Sequence, residues 1–90
     1  MSWTYDPTKL EIHLNWVRAR IGDTDTNDQQ LSNEELLSLL ALHDNKRLAA
    51  AAAAGLLAAK YARDGAQTEA TVFQALAATI YAEAGPQYLC

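Results

Sequence analysis

Residues 20–36 constrain the fold of this chain most, because they carry signals that end one helix and begin another. Gly22 lacks a Cβ atom and can take the left-handed conformation that closes a helix. Ser32 is a favoured helix start, since its hydroxyl can accept from the Glu35 amide while the Glu35 carboxylate reaches back. Leu31 and Leu36 can then pack together as a hydrophobic staple. The segment therefore predicts two helices joined by an acidic loop.

The remaining sequence predicts the bounds of these two helices and two further helices. Asp6-Pro7 suits the start of the first helix, which we expect to span residues 7–21. The second helix is expected from residue 33 to about 43, and the third, capped by Asn45, from 46 to about 63. Thr68 can cap a fourth helix that ends before Gly85-Pro86. With no alternating β-branched run, the sequence predicts an all-α four-helix bundle with a short amino-terminal arm and a carboxyl-terminal tail.

The apolar pattern indicates which helix faces are buried. In the first helix, one face and a second edge are apolar: Leu10, Leu14, Val17 and Ile21, then Ile12, Trp16 and Ala19. The second helix is so rich in leucine that we expect burial on more than one side. The third contains six consecutive alanines, residues 49–54, and small side chains let helix backbones approach closely. The third helix is therefore expected at the centre of the bundle.

Length and charge limit the classes of protein that this chain can represent. Its 90 residues suffice for one domain, residues 1–90, and such a small core gains from association. The net charge of −4 argues against a protein that grips DNA phosphates with a basic face. Cys90 is the one cysteine, so an internal disulfide framework is excluded and a reducing compartment fits. Neither a leader sequence nor an apolar run long enough for a bilayer is evident, so we expect no membrane association.

Two alternative functions come from the same helices and loop. Asp23, Asp25, Asn27 and Glu34 have the spacing of calcium ligands in an EF-hand, although the glycine usual at the sixth position is replaced by Asp28. The second and third helices could instead form the helix-turn-helix of a small DNA-binding regulator, although leucines and alanines leave few side chains to contact bases. No cluster of acid, base and nucleophile predicts an enzyme, and no motif predicts a cofactor or a bound metal.

Exposed aromatic side chains in terminal arms are candidates for contacts with partners, because burial on another protein benefits them most. Nine residues of the arm, the loop and the tail are predicted to bind partners: Trp3, Tyr5, Asp23, Thr24, Asp25, Gln87, Tyr88, Leu89 and Cys90. Trp3 and Tyr5 could also simply cover one end of the bundle.

The chain resembles the head-tail connector, or adaptor, proteins of tailed bacteriophages. The resemblance is carried by residues 17–40, with the segments Arg-Ile-Gly-Asp-Thr-Asp and Leu-Ser-Asn-Glu-Glu-Leu, and by the opening Ser-Trp-Thr-Tyr-Asp-Pro. The alanine-rich third helix ending in Lys-Tyr-Ala-Arg and the fourth helix extend the resemblance over most of the chain. These motifs mark helix ends and turns and contain no catalytic signature.

The resemblance implies a structural virion protein that is assembled in the host cytoplasm and resides at the head-tail interface. Such proteins form a ring, commonly of about a dozen copies, on the portal protein. The ring extends the channel through which DNA passes and offers a platform for a neck, stopper or tail protein. In this family the carboxyl-terminal segment commonly docks on the portal, which is the expectation for Tyr88, Leu89 and Cys90 here.

Overall fold

The computed structural model describes residues 2–43 and 45–83, and these residues form four helices and no strand. The helices are α1 (His13–Ile21), α2 (Asn33–Leu42), α3 (Lys46–Arg63) and α4 (Gln67–Glu83). The predicted all-α class is thus confirmed. None of the helices in this part of the chain is both long and apolar enough to cross a bilayer.

The junction between α1 and α2 has the predicted local geometry. Gly22 closes α1 in the left-handed conformation, with φ at 81°. At the start of α2, the Ser32 hydroxyl accepts from the Glu35 amide at 3.1 Å, and the Ser32 amide donates to the Glu35 carboxylate at 3.0 Å. Leu31 and Leu36 are both buried in the core. The capping box is therefore confirmed.

Helix α3 packs on all three other helices, most extensively on α4. Apart from Leu57, its buried side chains are all alanines, and they share the core with larger side chains from the other helices, which include Val17, Leu36 and Ile80. Asn45 accepts from the Arg47 amide at 2.7 Å, which confirms the predicted start of α3. The alanine run thus allows the close helix packing that the sequence predicts.

Two predicted helix boundaries are wrong. Helix α1 begins at His13 and not at Pro7, because a turn over residues 6–9 is held against the helix by Asn15. The Asn15 amide group accepts from the Asp6 N–H at 3.2 Å and donates to the Lys9 carbonyl at 3.1 Å. Helix α4 begins one residue before the predicted Thr68 cap, since the Ala70 amide already donates to the Ala66 carbonyl.

The prediction that α2 is buried on more than one side is also wrong. Leu36 is its one fully buried residue, whereas Leu37 is 53% exposed and Leu42 is 75% exposed. Helix α2 packs on α1 and α3 with a single face that includes Leu36, Leu39 and Leu40. Its other side faces outward and includes Leu37, Ala41 and Leu42, which we call the α2 outer face.

Candidate partner-binding surfaces

A buried ion pair joins α1 to the loop that follows it. The side chains of Arg18 and Asp23 are both fully buried, and the guanidinium donates directly to the carboxylate. Asp23 also accepts from the backbone amides of Gln30 at 3.0 Å and Leu31 at 3.1 Å. Burial lowers the pKa of Arg18, and the neighbouring Asp23 carboxylate opposes that shift. The charge of each side chain is therefore compensated inside the protein.

Arg18 also fastens the amino-terminal arm to the bundle. Its Nε donates to the Thr4 carbonyl at 2.7 Å, and its Nη2 donates to the Asn33 side chain at 2.6 Å. The Asn33 side chain in turn accepts from the Thr4 amide and donates to the Thr4 hydroxyl, each at 3.1 Å. One arginine thus binds the arm, the loop and the start of α2 together.

A second contact of the arm lies at the exposed end of α2. The Ser2 amide donates to Glu34 at 2.9 Å, and the Ser2 hydroxyl donates to the other oxygen of that carboxylate at 2.6 Å. These bonds, with a backbone amide at the start of the helix, lower the pKa of Glu34 to about 2. Glu34 therefore favours the docked arm while it is ionised.

The structure changes the roles expected of Trp3 and Asp23. The Trp3 ring lies 4.7 Å from the Arg18 guanidinium carbon and its Nε1–H donates to Asp23 at 3.1 Å, so its indole packs within its own chain. Tyr5 is half-buried. Asp23, one of the nine residues predicted to bind partners, is buried, because Arg18, Trp3 and two backbone amides surround its carboxylate. The alternative in which the arm covers one end of the bundle fits these contacts.

The rest of the loop is accessible. Thr24 and Asp25 are exposed, and Asp25 accepts from the Asn27 amide at 2.9 Å. The other predicted contacts, Gln87, Tyr88, Leu89 and Cys90, lie outside the described residues. Thr24 and Asp25 thus remain available to a partner.

The acidic side chains with calcium-ligand spacing are engaged in other contacts. Asp23 accepts from nitrogen donors and Glu34 accepts from Ser2. Over residues 2–43 and 45–83, no group of three or more acidic, histidine or cysteine side chains is placed to hold a metal ion. The loop geometry is therefore accounted for by hydrogen bonds to the backbone and by Arg18.

Three basic residues of the second half contact other side chains of the chain. Lys46 Nζ lies 4.8 Å from the centre of the Trp16 ring, and Arg47 lies 5.8 Å from the same ring. Lys60 donates to Glu35 at 3.2 Å. Three of the basic residues that a DNA-binding surface would use thus contact side chains of the same protein.

The α2 outer face is a surface that sequence reasoning missed. A leucine-rich helix suggested burial, and only the packing of α1 and α3 on one side reveals which leucines remain outside. Leu10 and Ile12, which precede α1, are 41% and 46% exposed, and the two residues together are here called the pre-α1 patch. These residues were predicted to lie on apolar faces of the first helix.

An apolar cavity of about 460 Å³ lies between α3 and α4. We call it the α3/α4 groove, and its apolar lining consists of Leu48, Ala51, Ala52, Ala77, Ala78 and Tyr81. His43, directly after α2, adds a polar side chain. Because most of the lining is alanine, the helices leave room for side chains from elsewhere.

Comparisons with protein-family models, curated proteins and solved structures give no match for this chain. The fold and surfaces define a small all-α protein with an ordered amino-terminal arm and several exposed apolar regions.

Proposed function

We propose that this chain is a structural subunit that assembles into a ring on the portal protein of a tailed bacteriophage. The ring, of about twelve copies, extends the DNA channel and offers a platform to a neck, stopper or tail protein. In this proposal the chain performs no chemistry, and DNA only passes through the channel. The site of action is the head-tail interface of the virion, after assembly in the host cytoplasm.

The α2 outer face is the observation that carries this proposal. A ring of identical subunits uses heterologous contacts, so each subunit needs one surface for each neighbour. Leu37 and Leu42 are more than half exposed on a helix of 10 residues, and in this proposal a neighbouring subunit covers them. The pre-α1 patch is a candidate for the complementary surface.

The motifs behind the resemblance to head-tail connector proteins also belong to one connected unit. The opening segment contributes Thr4, the first helix contributes Arg18, and the start of α2 contributes Asn33, all joined by hydrogen bonds. This network supports the proposal because it gives these separate motifs a shared structural role. Thr24 and Asp25, exposed beside it, are candidates for contact with the portal or with a neighbouring subunit.

The decisive experiment uses portal-bearing capsids of a phage or prophage that encodes this chain, prepared without the chain. The purified chain is added to these capsids, and the portal vertex is imaged by cryo-electron microscopy. We expect added ring-shaped density beneath the portal. The double variant Leu37→Ser/Leu42→Ser should fold but form no ring. Val72→Ser, which removes an apolar side chain that is 59% exposed on α4, is the matched control and should still assemble. Vertices without added density would contradict the proposal.

A further inference from the structure

The α3/α4 groove is open at the end of the bundle from which the chain continues beyond α4. Tyr81, two residues before the end of α4 at Glu83, lines the groove and is 45% exposed. Ala77 and Ala78, one turn earlier, form the wall nearest to it. The chain that follows Glu83 therefore starts beside this apolar cavity.

The residues after Glu83 have the composition and the length to fill that cavity. Gly85-Pro86 favours the end of the helix, and Gln87, Tyr88 and Leu89 follow. An extended chain covers roughly 3.3 Å per residue, so Leu89 can reach about 20 Å from Glu83. Ala77 lies only about 9 Å back along the helix axis, given a rise of about 1.5 Å per residue. The segment can thus turn back and lie along the groove.

The lining of the α3/α4 groove matches the side chains of Tyr88 and Leu89 in chemistry. A cavity of about 460 Å³ is large enough for more than one side chain, and its lining is apolar apart from His43. Tyr88 and Leu89 supply two apolar side chains and a single hydroxyl. A buried tyrosine hydroxyl needs a hydrogen-bond partner, and the His43 imidazole can provide one.

We propose that the α3/α4 groove binds Tyr88 and Leu89 of the same chain. The short connection holds the segment near the groove at an effective concentration in the millimolar range, which favours the chain's own segment over that of another copy. The inference concerns the isolated subunit and does not depend on ring formation at a portal.

Cys90, the single cysteine of the chain, allows a direct test with a nitroxide spin label in ¹⁵N-labelled full-length protein. We expect the label to broaden the amide signals of Ala51, Ala77 and Ala78 in nuclear magnetic resonance spectra, while Thr26 in the loop after α1 serves as the internal reference. The double variant Tyr88→Ser/Leu89→Ser, labelled at the same cysteine, should show weaker broadening at these positions. Equal broadening in the two proteins would overturn the proposal.

Two further measurements separate docking within one chain from docking between copies. In the first, ¹⁵N-labelled protein without a spin label is mixed with spin-labelled protein of natural isotope content. The amide signals of the groove residues should then stay sharp. Broadening in that mixture would show that the segment binds another copy and would overturn the proposal. Ala78→Lys, which places a charge in the groove, should weaken the intramolecular broadening. Thr79→Lys, the same charge at the neighbouring exposed position, should leave it intact; weaker broadening in both variants or in neither would count against the groove.

Discussion

At the residue scale, the Arg18–Asp23 pair determines how the amino-terminal arm and the loop fit together. Both charges are removed from water, which is costly, and the cost is offset by their attraction and by hydrogen bonds to surrounding groups. Every buried side-chain nitrogen and oxygen in the described part of the chain has such a partner. The pair therefore stabilises one arrangement of the loop rather than simply adding an ion pair to the surface.

Removing one charge of this pair should destabilise the protein strongly. Asp23→Asn leaves the Arg18 guanidinium buried without a counter-charge, and we expect the free energy of unfolding to fall by about 3–5 kcal/mol. Asp25→Asn, the same change at an exposed position of the same loop, should alter it by no more than about 0.5 kcal/mol. Urea unfolding followed by circular dichroism measures both. Similar losses in the two variants would show that burial of the pair is unimportant.

Glu34 should make stability depend on pH in the acid range. Its pKa is about 2 in the folded protein against an ordinary value of 4.5, so its ionised form favours folding above about pH 4.5. This contribution is lost as the pH falls towards 2. The melting temperature of Glu34→Gln should therefore fall less steeply over this interval than that of the natural chain.

Ser2→Ala is the partner variant for this pH experiment, because it removes the hydroxyl that donates to Glu34. Ser2→Ala should make the fall of the melting temperature at acid pH less steep, but by a smaller amount than Glu34→Gln does. Some acid dependence should persist in Glu34→Gln, since hydrogen bonds also lower the pKa values of Glu35, chiefly through the Ser32 amide, and of Asp6, through Thr8. Identical pH profiles for Glu34→Gln and the natural chain would refute the role of Glu34.

At the element scale, each helix junction depends on a few side chains at its ends. The Ser32 capping box fixes where α2 begins, and Asn45 fixes the start of α3. Ser32→Ala should lower the free energy of unfolding by about 1 kcal/mol, because an amide of the first turn loses its acceptor. Ser38→Ala, the same change at an exposed position inside α2, should be neutral or slightly stabilising. Denaturant titration of both variants checks this, and equal effects would contradict a specific cap.

Helix α3 contains a glycine where the structure leaves room for a larger residue. Gly55 is exposed within the helix, and a Cβ atom added there would meet no atom within 4 Å. Gly55→Ala should raise the free energy of unfolding by about 0.8–1 kcal/mol, because glycine is the poorer helix former. Gly65→Ala offers the contrast, since φ is +82° there and an alanine is strained. The melting temperature should therefore rise for Gly55→Ala and fall for Gly65→Ala. A lower melting temperature in both variants would contradict this prediction.

At the scale of the whole molecule, the exposed leucines of α2 predict association. If copies of the chain cover one another's α2 outer faces, the melting temperature should rise with protein concentration, because assembly favours the folded state. Leu37→Ser/Leu42→Ser should abolish that dependence, and Val72→Ser should preserve it. Differential scanning calorimetry over a hundredfold range of concentration measures the effect. A concentration-independent melting temperature in the natural chain would mean that the free subunit does not self-associate through this face.

The fold class and much of the helix punctuation follow from the sequence by itself. Capping, helix propensity and the left-handed glycine act between residues a few positions apart, so Gly22, Ser32 and Asn45 indicate helix ends without reference to any tertiary contact. The boundary at His13 could not be predicted in this way, because Asn15 holds the preceding turn through contacts that compete with helix formation.

Burial and exposure at the candidate surfaces were decided by the tertiary structure. Asp23, in the segment that most constrains the fold, is acidic and lies in a loop, yet Arg18 and the returning arm bury it. Leu37 and Leu42 are apolar and helical, yet α1 and α3 cover the other side of α2. A side chain's contact with water depends on residues distant in sequence, so the local pattern established which helices form, while packing between them established which residues a partner can reach.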